Sequence, residues 1–272
     1  MDKKLVIADI DDTLIVKHET LTPRAKNMIN TLHEHQVYFG IASGRSLEEV
    51  KRMVHSWGFE DLEILISLNG SVLWDGIEKK RYEYFIMKKE WIKEVVEIMS
   101  HYQTLNILMY RNDQLLCTEV EELAQMSAKA SKMEMVKVDV SQLYQEDNAK
   151  IMFRVKEEDM AEIEQYFQGH PEKEYRAFKT QPNLLEFSDA RVSKAYTLKK
   201  FCEHHDIKME EVIAFGDTSN DNDLLEASGW GVCLKNGSED TKQIADEITE
   251  KPCDEDGWAD YMEHHFFQEH KN

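Results

Sequence analysis

Short apolar runs alternate with amphipathic segments over the first 70 residues, and this rhythm constrains the fold more than any other feature of the chain. LVIADI, VYFGIAS and LEILISLNG each suit a strand that is buried on both faces. TPRAKNMINTLHEH lies between two of them and predicts a helix, with Thr22 as the N-cap and Pro23 in the first helical position. SLEEVKRMVHSWG predicts another, with Ser46 and Glu49 at capping-box spacing and a stop at Gly58. Strand, helix, strand, helix, strand is typical of right-handed βαβ units and a parallel sheet.

The rhythm changes after Gly70, where SVLWDGIEKKRYEYF predicts a hairpin turning at Asp75-Gly76. Helical segments such as KKEWIKEVVEIMSHY, VEELAQMSAKASK and EEDMAEIEQYFQ then mix with antiparallel-looking strands, among them a hairpin through Asn112-Asp113. The first rhythm resumes with the helical SKAYTLKKFCEHHDI and the apolar VIAFGD and GWGVCL. We therefore predict an α/β fold, in which a Rossmann-like parallel-sheet core carries an inserted α+β domain. The predicted bounds are 1–83 and 189–272 for the core and 84–188 for the insert.

Composition narrows the classes of function. The 272 residues carry a formal net charge of −20, which argues against a general nucleic-acid binder because such proteins normally show a basic face. An anionic substrate would need a locally positive pocket or a metal. Residues 239–272 contribute −8 of this charge, from eleven acidic residues and three lysines, and we expect them to form a solvated surface.

Cysteine usage and hydropathy bear on the compartment. The four cysteines are widely spaced and form no CxxC pair, so we expect reduced, mostly buried thiols. The first apolar run is broken by Asp9 and is too short for a signal peptide, and no run approaches the ~18 apolar residues of a membrane span. We expect a cytoplasmic protein that does not associate with membranes.

Polar residues follow the predicted strands, at the edge where parallel α/β sheets bind ligands. In chain order these clusters are Asp9-Ile10-Asp11-Asp12-Thr13, Ser43-Gly44-Arg45, Asn69-Gly70 and Gly216-Asp217. Two carboxylates ~4 Å apart repel by roughly 4 kcal/mol at an effective dielectric constant near 20, so the aspartates of DIDDT either point apart or share a cation. Carboxylate and carbonyl oxygens suit Mg²⁺. Taken singly, each cluster also fits an ordinary turn or helix cap, and Lys194 fits a surface lysine.

Four segments resemble, in this order, the four motifs of the haloacid dehalogenase superfamily of phosphatases. They are DIDDTL, ASGR, a lysine before a helix (Lys194) and GDTSNDNDLL. The insert resembles the large α/β cap of the Cof-like branch, and the segments LNGSVLWDG and VCLKNGSEDTKQIAD, outside the insert, resemble other segments of that branch. The resemblance spans essentially the whole chain. Three residues depart from the family pattern: Asp12, where many members carry Gly although the branch also shows the DIDDT form, Ser43, where Thr is common, and Ala195, where Gly is frequent. None of these departures removes a required functional group.

The resemblance implies roles for individual residues. Asp9 would be the nucleophile that forms a phosphoaspartate, and Asp11 would protonate the leaving alcohol and later activate water. Asp9, the Asp11 carbonyl and Asp217 would hold Mg²⁺. Lys194 would stabilise charge in the transition state.

Further residues would bind the phosphoryl group or support the site. The phosphoryl group would be contacted by the backbone N–H of Ile10, by Ser43 and by the Gly44 amide. Asn220 would contact the phosphate or a metal-bound water. Asp221 would act through the metal waters or Lys194. Asn69 and Arg45 also follow predicted strands and are expected beside the site. For Arg45 a structural ion pair is the alternative.

The resemblance implies a Mg²⁺-dependent phosphatase with a small phosphorylated metabolite as its substrate, such as a sugar phosphate or a phosphorylated cofactor precursor. We expect a monomer or small homo-oligomer. The alternatives are a phosphotransferase or phosphomutase of the same superfamily, and a receiver-like module in which Asp9 is phosphorylated as a signal. In the insert, the candidate polar residues for substrate selection are Arg111, Arg154, Arg176 and Lys179.

Overall fold

The computed structural model describes residues 4–16, 20–171 and 173–266. By its contacts the chain divides into two compact units: Met1–Tyr82 with Ser193–Asn272, and Glu83–Val192. The strands are β1 (Leu5–Ala8), β2 (Tyr38–Ala42), β3 (Ile64–Ser67), β4 (Val72–Asp75), β5 (Lys80–Glu83), β6 (Thr104–Arg111), β7 (Gln114–Cys117), β8 (Glu134–Lys137), β9 (Lys150–Val155), β10 (Tyr175–Gln181), β11 (Leu184–Asp189), β12 (Val212–Gly216), β13 (Trp230–Cys233) and β14 (Glu247–Ile248). The helices are α1 (Pro23–Glu34), α2 (Leu47–Ser56), α3 (Lys89–Met99), α4 (Glu122–Ala130), α5 (Val140–Leu143), α6 (Glu157–Gln168), α7 (Lys194–His204), α8 (Asn222–Ala227), α9 (Glu239–Ile244) and α10 (Gly257–Tyr261).

The first unit is built on an eight-stranded sheet in the order β14-β13-β12-β1-β2-β3-β4-β5. The strands from β14 to β3 are parallel, and β4 pairs antiparallel with β3. β1 lies inside the sheet between β12 and β2 and is fully buried, as its continuous apolar run predicts. The prediction of a parallel-sheet α/β core is confirmed.

The helices α1 and α2 begin at the capping residues that the sequence predicts. The Thr22 hydroxyl accepts the Ala25 N–H at 3.1 Å and Pro23 opens α1, while the Ser46 hydroxyl accepts the Glu49 N–H at 3.3 Å at the start of α2. Gly58 follows α2 with φ of 90°, a conformation that glycine adopts without strain.

The acidic C-terminal segment departs from the prediction of a solvated surface. Trp258 and Met262 are 1% and 0% exposed, and the Trp258 ring lies 5.4 Å from that of Phe39 between centroids. Among the acidic residues, Asp260 is 10% exposed at its side chain and pairs with Arg24 at 2.8 Å. The expectation was wrong for this short stretch, because its apolar residues complete the core over the sheet.

The second unit contains a six-stranded sheet in the order β10-β11-β9-β6-β7-β8, antiparallel except for the β7–β8 pair. The helices α3 and α6 pack on one face against Phe153 and Phe187, and α4 packs on the other beside Met152. The hairpin through Asn112 and Asp113 is confirmed, with φ of 48° and 61°.

Two elements of this unit, β8 and α5, were not predicted. Each is only four residues long, too short to show a periodic pattern. All four cysteines are free and buried, as expected. Among the described residues, no helix combines the length and the apolar composition needed to cross a membrane.

Candidate active site

Asp9 and Asp217 lie at the same edge of the first unit's sheet because the strands that precede them are parallel neighbours. Ala8 is in register with Phe215, and the Asp9 N–H donates to the Phe215 carbonyl at 3.0 Å. Asp9 and Asp217 are 7% and 6% exposed. Strand pairing therefore brings close together two carboxylates that are 208 positions apart in the sequence.

Lys194 reaches this edge from the first residue of α7. The Ser193 hydroxyl caps the helix by accepting the Tyr196 N–H at 3.0 Å. A Cβ on Gly70 would lie 2.2 Å from the Ser193 carbonyl oxygen, so only glycine permits this approach of α7 to the segment after β3. The Thr197 hydroxyl fixes the contact by donating to the Gly70 carbonyl at 2.6 Å.

The Lys194 ammonium bridges two carboxylates in the interior. Its Nζ donates to Asp9 Oδ1 at 2.8 Å and to Asp221 Oδ1 at 2.6 Å, and the residue is 1% exposed. The other oxygen of Asp221 accepts the N–H groups of Asp217 and Thr218 at 3.1 and 3.3 Å. Both oxygens of Asp221 are thus engaged within the protein, which suits it to holding Lys194 in place.

Negative charge is in surplus at this cluster. Burial raises the pKa of Asp9 well above its ordinary value despite Lys194, and Asp221 and Asp217 reinforce the rise. Burial and Asp221 raise the pKa of Asp217 to about 7, although the Thr13 hydroxyl donates to it at 3.0 Å. Burial alone would lower the pKa of Lys194, but Asp221 and Asp9 outweigh it and raise that pKa.

A divalent cation would relieve this surplus. One carboxylate oxygen from each of Asp9, Asp217 and Asp221 lies within 4.8 Å of the others, and all three side chains are buried. An all-oxygen group of this kind fits a hard cation. The aspartate cluster can therefore bind a metal ion.

Asp11 points to a different partner. Arg45 holds its carboxylate with two hydrogen bonds of 2.7 Å, from Nε and Nη2, and also contacts the Glu49 carboxylate. Burial works against the charge on Arg45, but Asp11 and Glu49 outweigh it and raise the pKa of the guanidinium. Arg45 is thus an ion-pair residue whose partner is a candidate catalytic group, so the two interpretations of Arg45 are not exclusive.

The residues predicted to bind the phosphoryl group follow the strands of the same sheet, together with Asn69. The Ser43 carbonyl accepts the Asn69 N–H at 3.0 Å, and a Cβ on Gly44 would lie 3.1 Å from Asn69 Oδ1. The Asn220 amide lies 3.5 Å from Asn69 Oδ1, at the limit of a hydrogen bond. Ile10 buries its side chain in the core and accepts the N–H groups of residues 14 and 15 through its carbonyl. The proposed contacts of these residues with a phosphoryl group stay predictions.

Sequence reasoning left out three residues that support the site. Thr13 donates to Asp217, Glu49 contacts Arg45, and the Asn236 amide donates to the Asp12 carbonyl at 2.7 Å. Thr13 lies inside the DIDDT motif and Glu49 is four residues after Arg45, so both spacings were visible. Asn236 lies in the segment VCLKNGSEDTKQIAD, which resembles the family, but no role of its own was predicted for it.

In the second unit, the four candidate cations for substrate selection all have partners in their own unit. Arg154 is 3% exposed and lies 3.1 Å from Glu121. Arg111 and Arg176 donate to backbone carbonyls, and Lys179 lies 3.8 Å from Glu164. Sequence reasoning missed a further cation of this unit, Lys150, which is buried.

Comparison with known proteins gave consistent matches. Residues 6–262 match the family model of haloacid dehalogenase-like hydrolases. The 5-amino-6-(5-phospho-D-ribitylamino)uracil phosphatase YitU of Bacillus subtilis is 26% identical, over 96% of this chain and 97% of that protein. The HMP-PP phosphatase of Yersinia enterocolitica is 23% identical, over 96% and 94%. The crystal structure of a haloacid dehalogenase-like hydrolase from Bacteroides thetaiotaomicron superposes with a TM-score of 0.86 at 23% identity, covering 96% of this chain and 98% of that one.

Proposed function

This chain belongs to the haloacid dehalogenase-like hydrolase family, and we propose that it is a Mg²⁺-dependent phosphatase of small phosphorylated metabolites that works through a phosphoaspartate on Asp9. The observation that carries the proposal is the buried Lys194, which bridges Asp9 and Asp221 beside Asp217. The curated relatives named above are phosphatases, one of a phosphoribityl compound and one of HMP-PP.

Asp9 is the proposed nucleophile. Its second carboxylate oxygen attacks phosphorus, the P–O bond to the alcohol breaks, and an acyl phosphate forms on Asp9. Lys194 fixes the other oxygen at 2.8 Å and so limits rotation of the carboxylate. Water then attacks the acyl phosphate, which releases inorganic phosphate and restores Asp9.

Asp11 is the proposed acid and base. It donates a proton to the leaving alcohol oxygen and later accepts one from the attacking water. In the structure Arg45 donates one hydrogen bond to each oxygen of this carboxylate. Asp11 therefore has to leave Arg45 or exchange one of these bonds before it can act as an acid, and Glu49 remains as a partner for the guanidinium.

Asp9, the Asp11 carbonyl and Asp217 are the proposed ligands of Mg²⁺, which would neutralise the surplus charge and screen the incoming phosphate from Asp9. Asp221 holds Lys194 from behind. Ser43, the Gly44 and Ile10 amides, and Asn220 are proposed to donate to the phosphoryl oxygens. Asn69, in contact with Gly44 and Asn220, supports that group.

The decisive experiment is turnover of p-nitrophenyl phosphate by Asp9→Asn, with Asp12→Asn as the matched control three residues away. We expect Asp9→Asn to abolish hydrolysis and Asp12→Asn to retain it. EDTA should silence the wild type and Mg²⁺ restore it. Turnover by Asp9→Asn at the wild-type rate would contradict Asp9 as the nucleophile. Turnover that survives EDTA would contradict the assigned metal.

We propose that the second unit, Glu83–Val192, acts as a cap domain that selects the substrate. A panel of phosphorylated metabolites, including a phosphoribityl compound and HMP-PP, is ranked by the kcat/KM of the purified protein for each, which identifies the substrate class. The same reactions run with added acceptor alcohols separate hydrolysis from phosphoryl transfer, because transfer yields a new phosphate ester instead of inorganic phosphate.

A further inference from the structure

A second cluster of metal-ligating side chains lies outside the proposed catalytic residues, where the end of β4 meets the end of α7. It contains Asp75, the last residue of β4, His204, the last residue of α7, and His205, the C-cap of that helix. One ligand atom from each lies within 4.8 Å of the others. The proposed phosphatase chemistry uses none of these residues.

Asp75 is a buried carboxylate in a fixed orientation. It is 1% exposed, and its Oδ1 accepts the N–H groups of Ile77 and Glu78, both at 3.0 Å. Its Oδ2 lies 2.6 Å from Nε2 of His205. The turn after β4 thus aims one oxygen of Asp75 at an imidazole.

The two histidines differ in exposure. The His205 ring packs 4.5 Å from the Phe201 ring between centroids, and its side chain is 14% exposed. His204 is 50% exposed at its side chain, and its Nε2 lies 2.7 Å from Glu78 Oε1. One ligand is therefore held by packing while the other faces solvent, which leaves a route for an ion to enter.

We propose that Asp75, His204 and His205 form a binding site for a divalent transition-metal cation of the Zn²⁺ class. Two imidazoles and a carboxylate are ligands that Zn²⁺ accepts in four-coordinate sites, and Glu78 or a water supplies the fourth. A tetrahedral shell with bonds of 2.0–2.2 Å places its ligand atoms roughly 3.3 Å apart, so binding requires small rotations of the side chains. Mg²⁺ prefers oxygen ligands alone, which separates this site chemically from the aspartate cluster.

The location also favours a cation. α7 is eleven residues long, and its C-terminus carries the negative end of the helix dipole. A cation held by His204 and His205 there would attach the end of α7 to the turn after β4. Because the same helix presents Lys194 at its first residue, the ion would stabilise the element that carries the proposed catalytic lysine.

The test is calorimetric titration of ZnCl₂ into metal-stripped full-length protein, in excess Mg²⁺. His204→Ala removes an exposed ligand, and His205→Gln removes the other imidazole while keeping a side chain that can donate to Asp75. His55→Ala, at an exposed histidine of α2, is the matched control. Asp217→Asn provides a background in which the aspartate cluster is impaired.

We expect one Zn²⁺ per chain in the wild type, in His55→Ala and in Asp217→Asn. His204→Ala and His205→Gln should bind at least about tenfold more weakly, since even loss of an outer partner of a metal ligand costs that much. Zn²⁺ should raise the Tm of the wild type and not that of the two variants. A wild type that binds no Zn²⁺, or binding that is lost in Asp217→Asn and kept in His204→Ala, would overturn the site.

The outcome is separable from that of the proposed phosphatase activity. His204→Ala should hydrolyse p-nitrophenyl phosphate with Mg²⁺ at the wild-type rate, which also shows that it is folded. Histidine-dependent Zn²⁺ binding by a protein without phosphatase activity would support this site and reject the proposed function.

Discussion

Two buried lysines, one in each unit, differ in the charge that surrounds them. In the second unit Lys150 is 5% exposed, and its Nζ lies 2.7 Å from Oε2 of Glu186, which is 6% exposed. The Thr180 hydroxyl donates to the other Glu186 oxygen at 3.2 Å. Lys150 and Glu186 thus form a buried ion pair. Lys194 in the first unit instead contacts two carboxylates, and Asp217 lies beside them.

The difference separates a structural ion pair from the proposed reactive centre. A balanced pair whose hydrogen bonds are made inside the protein needs nothing further to stay buried. In the first unit three buried carboxylates surround one ammonium. Burial, reinforced by the neighbouring carboxylates, raises the pKa values of Asp9 and Asp217, and a bound cation would relieve the surplus of negative charge. Both lysines are buried, so the charge around them, and not their burial, sets the proposed reactive centre apart from the ion pair.

The largest expected effect is on catalysis. Lys194→Met should lower kcat on p-nitrophenyl phosphate by at least about 10²-fold, because an ammonium at the reacting group is replaced by a thioether. Lys150→Met makes the same replacement at the balanced pair, and its kcat should stay within a few-fold of the wild type. Steady-state kinetics of both variants test this, and equal losses of kcat would erase the distinction between the two lysines.

At the Lys150–Glu186 pair the expected effect is on stability and not on catalysis. Lys150→Met leaves Glu186 buried without its cation, a change that typically costs about 3–5 kcal/mol. The double variant Lys150→Met/Glu186→Leu removes both charges and should recover most of that loss. Thermal unfolding of the wild type, the single variant and the double variant shows whether stability falls and then recovers. A double variant less stable than the single one would mean that Glu186 is held by other groups.

The charge surplus of the first unit predicts a pH dependence in metal-free protein. The pKa of Asp217 is about 7 in the fold and near its ordinary value of 3.8 when unfolded, so between these values the folded state binds the extra proton. Stability in EDTA should therefore fall as pH rises from about 4 to about 7, by at most about 4 kcal/mol from this group. Asp217→Asn should flatten the slope in urea denaturation. Added Mg²⁺ should restore wild-type stability above about pH 7, and an unchanged slope in Asp217→Asn would assign the effect to another group.

Sequence reasoning reached the sheet and the strand-end residues because both leave periodic or positional signals. A fully buried strand such as β1 is a continuous apolar run in the sequence. The carboxyl ends of parallel strands share an edge, so the sequence alone places Asp9 and Asp217 near each other. The resemblance added Lys194, whose helix position alone fits a surface residue.

Other features were out of reach for physical reasons. The ion pair of Arg45 with Asp11 depends on side-chain rotamers, which one sequence does not reveal. The buried Trp258 sits in a five-residue helix, too short for an amphipathic period, within a segment whose average composition is acidic. Average charge describes the surface of such a segment and gives no information about the few side chains that turn inward.

The smallest expected effect concerns Asp12, the aspartate of DIDDT without a proposed chemical role. Its φ is 59°, its N–H donates to the Ile15 carbonyl at 2.7 Å, and its own carbonyl accepts the Asn236 amide. These are backbone contacts that any residue able to adopt a positive φ can make. Asp12→Gly relieves the left-handed conformation but adds freedom to the unfolded chain, so its stability should change by less than about 1 kcal/mol, with activity retained.

Asp12→Val provides the contrast at the same position, because a β-branched residue at positive φ is strained by about 1–3 kcal/mol and would shift the backbone between Asp11 and Thr13. Asp12 also contributes to the raised pKa of Asp217, so Asp12→Gly should lower that pKa slightly and leave metal binding intact. Parallel measurement of Tm and of kcat against Mg²⁺ concentration separates these effects. A folded Asp12→Gly that needs far more Mg²⁺ than the wild type would make Asp12 part of the charge surplus that binds the metal, and the chemistry of the motif would then include all three aspartates.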